Sequence, residues 1–209
     1  IRTTAVRDGD VWVINGNKLW ITNGGIAQFF TVFAKTGPAD GRGRMSAFMV
    51  TTDMPGVSVG PHEDKLGLRA SSTTMVYFDN VRVPVDHMLG DENEGFKVAM
   101  KILNSGRTGL GGGSVGAIKG LIEKATKQAK GREQFGRPIA EFGLMKQKVG
   151  EMVVSCYAAE SVVNAVNGLI ERGDTEYAVE AAISKIFASE ALWSAADEAL
   201  QISGGNGYM

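Results

Sequence analysis

The sequence predicts an α+β chain of two domains, an antiparallel β-barrel-like domain over residues 1–90 followed by an antiparallel helix bundle over 91–209. Three observations carry this. Apolar residues recur with period two up to about Val83-Pro84-Val85-Asp86 and with period 3.6 from Asn93 onward. Turn-forming clusters punctuate the first stretch but rarely the second. The hydrophobic share, 44% of 209 residues, supplies a real core.

In chain order, Val11–Ile14 and Lys18–Thr22 read as strands around Asn15-Gly16-Asn17, a hairpin signal. Ala27–Lys35, Met45–Thr51, Gly56–Val59 and Thr74–Phe78 continue the pattern. Gly37-Pro38-Ala39-Asp40-Gly41 and Asp53-Met54-Pro55-Gly56 have turn composition. A first helix runs from Gly95 through Phe96, Met100 and Leu103 towards Ala129. A second places Met145, Val149, Met152, Cys156, Ala159, Val163, Val166 and Ile170 on one face. After the turn at Gly173-Asp174, a third places Ala178, Ala182, Ile186, Ser189, Trp193, Ala196 and Leu200 on its apolar face. Each helix is ~45 Å long at ~1.5 Å per residue. Both ends of the architecture are expected to be incomplete. Ile1-Arg2-Thr3-Thr4 has no start methionine or signal pattern, and a fourth helix is expected beyond Met209.

Charge narrows the function. Lys plus Arg number 22 against 23 Asp plus Glu, so no basic excess points to nucleic acid or an anionic membrane as partner. The single Cys156 and the separated His62 and His87 lack metal-site spacing, and a reducing compartment fits. No apolar run approaches the ~20 residues of a transmembrane segment.

Five phrases carry chemistry. Gly111-Gly112-Gly113-Ser114-Val115-Gly116 has the letters of a dinucleotide-binding turn, but no strand precedes it, so close helix packing is the better reading. Gln201-Ile202-Ser203-Gly204-Gly205 closes the third helix with a backbone able to turn at φ > 0 and approach a ligand, though a plain helix cap has the same letters. Trp20-Ile21-Thr22 offers an apolar wall with one hydroxyl on the same face, because alternate residues of a strand share a face, and it suits a planar ring such as a flavin, though ordinary strand and turn chemistry has the same letters. Arg132, Gln134 and Phe135 sit in Gly131–Pro138, where a guanidinium fork suits a pyrophosphate and an aromatic ring suits adenine; a solvated loop reads the same way. Asn104-Ser105-Gly106-Arg107 interrupts an apolar helix with a polar patch that faces either solvent or a ligand channel.

Together these phrases resemble the acyl-CoA dehydrogenase family along essentially the whole chain. Lys18–Gly25, Asp64–Ser71, Phe78–Pro84, Arg132–Gly136 and Gln201–Tyr208 look like its signatures. Gly95–Met100, Ile102–Arg107 and Glu180–Phe187 are most similar to its very-long-chain branch, which includes family member nine. The resemblance implies FAD-dependent α,β-dehydrogenation of a long-chain acyl-CoA, with an electron-transferring flavoprotein as electron acceptor and assembly into a homodimer or homotetramer. It implies a mitochondrial location in a eukaryote and a cytoplasmic one in a bacterium. By position, Trp20, Ile21 and Thr22 would contact the isoalloxazine. Arg132, Gln134, Phe135 and Gln201, Ile202, Ser203, Gly204 and Gly205 would hold the adenosine and pyrophosphate end, and Asn104, Ser105, Gly106 and Arg107 would line the acyl-CoA channel. No catalytic residue is found. The family's Glu base is expected downstream of Met209, and the helix slot that some relatives use for it is Gly106 here. The same fold also serves acyl-CoA oxidases, and an assembly or scaffold protein that keeps its flavin is the other alternative.

Overall fold

A computed structural model describes residues 1–37 and 44–209. The chain divides into two compact units, Ile1–Lys101 and Ile102–Met209.

The first unit holds β1 (Thr4–Asp8), β2 (Val11–Thr22), β3 (Phe29–Lys35), β4 (Met45–Thr51), β5 (Val57–His62), β6 (Thr73–Pro84) and β7 (Met88–Leu89). They form one seven-stranded sheet in the order β5-β6-β2-β1-β3-β4-β7. Trp12, Ile14, Phe30, Val32, Phe48, Val50, Val76, Phe78, Val81 and Val83 bury their side chains in a single cluster. Val57 and Met88, from the two ends of the sheet, pack on that same cluster, so the sheet curls round its core in the barrel-like manner expected. Hydrogen bonding does not close it, since no β5–β7 pair occurs among the described residues.

Two local expectations fail here. Asn15-Gly16-Asn17 is not a hairpin: β2 runs straight through it, and the reversal falls at Gly9-Asp10, between Asp8 and its partner Val11. Instead the phrase marks a register shift between Ile14 and Gly16. A Cβ on Gly16 would lie 2.8 Å from Thr3 Cα, so the backbone just ahead of β1 passes where only glycine fits. Asn15 bonds Asn80 across the bulge, donating from its side chain to Asn80 Oδ1 and accepting from the Asn80 amide. The sheet is also not wholly antiparallel, because β1 lies parallel to β3 with Thr4 opposite Lys35. Asp53–Gly56 turns as expected, the Val57 amide donating to the Met54 carbonyl. The predicted turn Gly37–Gly41 lies almost wholly outside the described residues.

Helix α1 (Gly95–Gly131) belongs to both units. The boundary between the compact units falls inside it, and its first turn seats on the sheet: a Cβ on Gly95 would lie 2.8 Å from Met45 O. A hairpin, β8 (Glu133–Gln134) and β9 (Arg137–Pro138), leads to α2 (Gly143–Glu171), α3 (Ala178–Ser203) and the short α4 (Gly205–Tyr208). Successive helices run antiparallel: Lys119 of α1 pairs with Glu160 of α2, and Lys148 near the start of α2 pairs with Glu198 near the end of α3. Residues of all three long helices form one core, among them Val115, Ile118, Met152, Cys156, Ala159, Ala188, Ala195 and Ile202.

The predicted face of α2 is the buried one, with Met152, Cys156, Ala159, Val163 and Val166 all inside. By length and composition α2 could also cross a membrane, but this apolar side faces the bundle core. The predicted face of α3 is wrong. Its buried residues are Ala181, Ser184, Ala188, Ala195, Ala199 and Ile202, whereas Ile186, Trp193 and Leu200 are exposed. Small residues let α3 approach its neighbours closely. Gly111 shows the same logic, since a Cβ there would lie 2.6 Å from Ser184 Oγ and 3.2 Å from a Val163 methyl. Close packing thus accounts for Gly111 but not for Gly112, Gly113 or Gly116, whose surroundings are open.

Candidate functional site

Most of the residues picked out by sequence fall into two cavities and one helix surface, with Trp20 and Phe135 exposed outside them. The first cavity, about 360 Å³, opens in the sheet unit between β2 and β3. Ile21 and Thr22 line it with Lys18, Asn23 and Thr31 against Phe29, Phe30, Val32, Val76 and Phe78. Apolar walls with a few polar groups on one side suit a flat, partly polar ligand.

Local backbone strain shapes this wall. The register of β2 against β6 shifts between Lys18 and Ile21, and Trp20 within the shift has φ 55°. A non-glycine residue in that region costs of the order of 1 kcal/mol, and such strain collects at ligand sites. The bulge interrupts strict alternation, so the shared face expected of Trp20 and Thr22 does not follow from spacing. Trp20 is 71% exposed and does not line the cavity; Thr22 is exposed at its rim. Beyond Thr22 the chain is pinned to the end of β6: the Asn23 amide donates to Ser72 O at 2.8 Å and the Gly25 amide to Ser72 Oγ at 3.1 Å. Gly24 is required there, since a Cβ would come within 2.3 Å of Thr74 Oγ1.

The second cavity, about 340 Å³, lies in the helical unit. It brings together Arg132 and Gln134 with Gln201, Ile202, Ser203, Gly204 and Gly205, almost seventy residues later in the chain. The β8–β9 hairpin positions the first group. Its two-residue turn is Phe135-Gly136, both at positive φ (55° and 75°), the geometry a tight hairpin needs. The Arg132 amide donates to Gln128 O, and Arg132 O accepts from the Ile139 amide, which fixes the hairpin base at the end of α1. The second group is positioned by Gly204, which takes φ 59° and ψ −135°, so that α3 stops and α4 starts with no side-chain cap. The closing phrase is therefore more than a cap. A guanidinium, side-chain amides and bare glycine backbone meet here with no carboxylate among the described lining residues, groups that suit phosphate oxygens, while the Ser203 hydroxyl donates to Ala199 O.

Phe135 is not in this cavity. It stands 92% exposed at the hairpin tip, edge-on to Phe142 at 6.2 Å, because the turn geometry aims it outward. Asn104, Ser105, Gly106 and Arg107 lie on α1, where Arg107 donates to Asn104 Oδ1 at 2.9 Å, and they line neither cavity. Sequence reasoning missed Gln128 and Asn206, which line the Arg132 cavity. Gln128 had a usable signal, standing one helical turn before Arg132. It also assigned no role to Lys18, the one charged side chain on the first cavity. Lys18 donates to Phe33 O of β3, and burial pushes its pKa below the usual lysine value.

A barrel-like sheet followed by an antiparallel helix bundle defines a two-domain α+β architecture. Residues 1–81 match the acyl-CoA dehydrogenase middle domain and residues 93–209 the acyl-CoA dehydrogenase C-terminal domain. The chain belongs to the acyl-CoA dehydrogenase family. It is 47% identical to the mitochondrial very long-chain specific acyl-CoA dehydrogenase of Homo sapiens, over 100% of this chain and 33% of that protein. Butyryl-CoA dehydrogenase from Megasphaera elsdenii superposes with a TM-score of 0.92 at 36% identity, covering 100% of this chain and 54% of that one. The acyl-CoA dehydrogenase of Bacillus anthracis, solved in complex with FAD, gives 0.90 at 39% (100% and 38%). The prolyl acyl carrier protein oxidase AnaB gives 0.93 at 30% (100% and 55%). The chain thus spans between a third and about half of the length of these relatives.

Proposed function

We propose that this chain is part of an FAD-dependent dehydrogenase that converts a long-chain acyl-CoA to the trans-2-enoyl-CoA. The observation that carries the reading is the Arg132 cavity, where two distant phrases bring a guanidinium, side-chain amides and glycine backbone together, in a family with an FAD complex among its solved members. When bound, FAD supplies the acceptor for the β-hydride. The chain's own residues bind and orient it. Arg132 offers a planar fork to the pyrophosphate, Gln134 and Gln201 donate beside it, and Gly204-Gly205 keep side chains out of its way. Trp20, Ile21 and Thr22 form the isoalloxazine wall, with the Thr22 hydroxyl as its polar contact. Phe135 is assigned to the adenosine end from its exposed place at the hairpin tip, and Asn104, Ser105, Gly106 and Arg107 to the acyl-CoA channel.

We place the base that removes the α-proton outside Ile1–Met209, because no carboxylate among the described residues lines either cavity and the helix slot before Arg107 is Gly106. Electrons leave to an electron-transferring flavoprotein, and the working form is a homodimer or homotetramer. Location follows the source, mitochondrial in a eukaryote and cytoplasmic in a bacterium. A second reading, an oxidase that passes electrons to oxygen, is favoured by the likeness to AnaB. Assaying the whole protein for acyl-CoA-dependent dye reduction across chain lengths, with peroxide measured alongside, separates them. Dye reduction best with long chains and little peroxide is expected; stoichiometric peroxide would establish the oxidase. The isolated chain should show no turnover, and robust turnover would refute the placement of the base.

A further inference from the structure

We propose that Lys18 is a positioning residue for the Trp20–Thr22 wall, holding β2 against β3 at the place where β1 stops separating them. This inference rests on the flavin reading of that wall.

The geometry follows from strand lengths. In the sheet, β1 lies between β2 and β3, but its pairing ends with Thr4, opposite Asn15 on one side and Lys35 on the other. Past that point β2 runs on to Thr22 and β3 begins at Phe29, so two long strands continue with no β1 pairing between them. The 360 Å³ cavity opens along this stretch. Lys18 is where the gap is bridged: its ammonium donates to the main-chain carbonyl of Phe33 in β3. The bulge follows at once, with Trp20 held at φ 55°, and the wall ends at Thr22. A strained bulge persists only where its surroundings over-determine it. On the Thr22 side that role falls to the Asn23 and Gly25 bonds to Ser72, and on the other side to Lys18.

Chemistry supports the assignment. A lysine half-hidden among Phe29, Phe30, Val32 and Phe78 gives up hydration that one carbonyl only partly replaces. Among the described residues, Lys18 is the one titratable side chain that lines the cavity, and Lys18→Arg separates its pH response from that of the flavin.

The test uses the whole protein with its flavin and three forms, wild type, Lys18→Met and Lys18→Arg, read by FAD dissociation and by the flavin visible spectrum. Lys18→Met keeps the length of the stem and loses the donor. We expect FAD to bind about ten-fold more weakly, the effect of one charge-assisted hydrogen bond, with a shifted flavin band. Lys18→Arg retains a permanent charge and should recover most of the affinity. Raising the pH should weaken FAD binding by wild type at a pH below 10.5, and Lys18→Arg should not show that step. In the flavin-free protein, the charge on Lys18 is disfavoured in the fold, so stability should rise as pH climbs from the lowered pKa to 10.5, and Lys18→Met should lack that rise. If Lys18→Met fails to fold, the wild-type and Lys18→Arg pH profiles decide. Flavin bound normally by Lys18→Met with an unshifted band, or identical pH profiles for wild type and Lys18→Arg, overturns this inference alone. A wild-type protein that binds no flavin overturns the flavin reading and this inference together.

Discussion

The two cavities are close in volume and differ in what they are made of. The one beside Thr22 is an extension of the sheet's own core, walled by Phe30, Val32, Val76 and Phe78, all of them buried. The Arg132 cavity is made where elements end: the base of the β8–β9 hairpin, the last turn of α3 and a glycine at positive φ. In the first, shape comes from residues that also hold the fold together, so ligand fit and stability are one property. In the second, donors stand on exposed turns that the core does not need. Binding there should be separable from folding.

That separation sets an order of expected effects. Phe78→Ala should be the largest, destabilising the sheet unit by about 3–5 kcal/mol, as loss of a buried aromatic does; chemical denaturation of the purified protein measures it, and a cost under ~1 kcal/mol would break the contrast. Arg132→Ala should leave the melting temperature nearly unchanged while FAD binds roughly ten- to a hundred-fold more weakly, read by equilibrium dialysis. Arg132→Lys should recover only part of this, since an ammonium lacks the fork. Gly204→Ala forces a Cβ into φ 59°, ψ −135° and should cost about 1–3 kcal/mol, lowering flavin retention through the misplaced Gly205 backbone. Thr22→Ala should be smallest, within about 0.5 kcal/mol in stability, with its effect confined to how readily bound flavin is reduced. An unchanged reduction potential would remove Thr22 from the wall.

Much of this was legible in the sequence, and the failures share a cause. Strand and helix positions follow from local pattern, as with Met45–Thr51, which is β4 to the residue. Which side of an element faces inward is decided by its neighbours. In α2 the large apolar stripe is the core face. In α3 an equally regular stripe, Ile186, Trp193 and Leu200, faces out because Ala181, Ser184, Ala188 and Ala195 permit closer helix contact. Asn15-Gly16 has hairpin letters, yet glycine serves there to let the backbone just ahead of β1 pass, a long-range demand that no local rule registers. The Arg132 cavity was legible as two separate phrases; their meeting required the bundle to fold back on itself. That Phe135 stands outside the Arg132 cavity was not legible in spacing, because the turn's positive φ sets the direction in which it points.

The central claim is that these residues hold the flavin of an acyl-CoA dehydrogenase. Anaerobic mixing of the flavin-loaded whole protein with one equivalent of a long-chain acyl-CoA tests it most directly, with flavin absorbance and the acyl product followed together. The account predicts bleaching of the oxidised flavin band matched by trans-2-enoyl-CoA formation; a fully loaded protein whose flavin stays oxidised, with the acyl-CoA recovered unchanged, would contradict it.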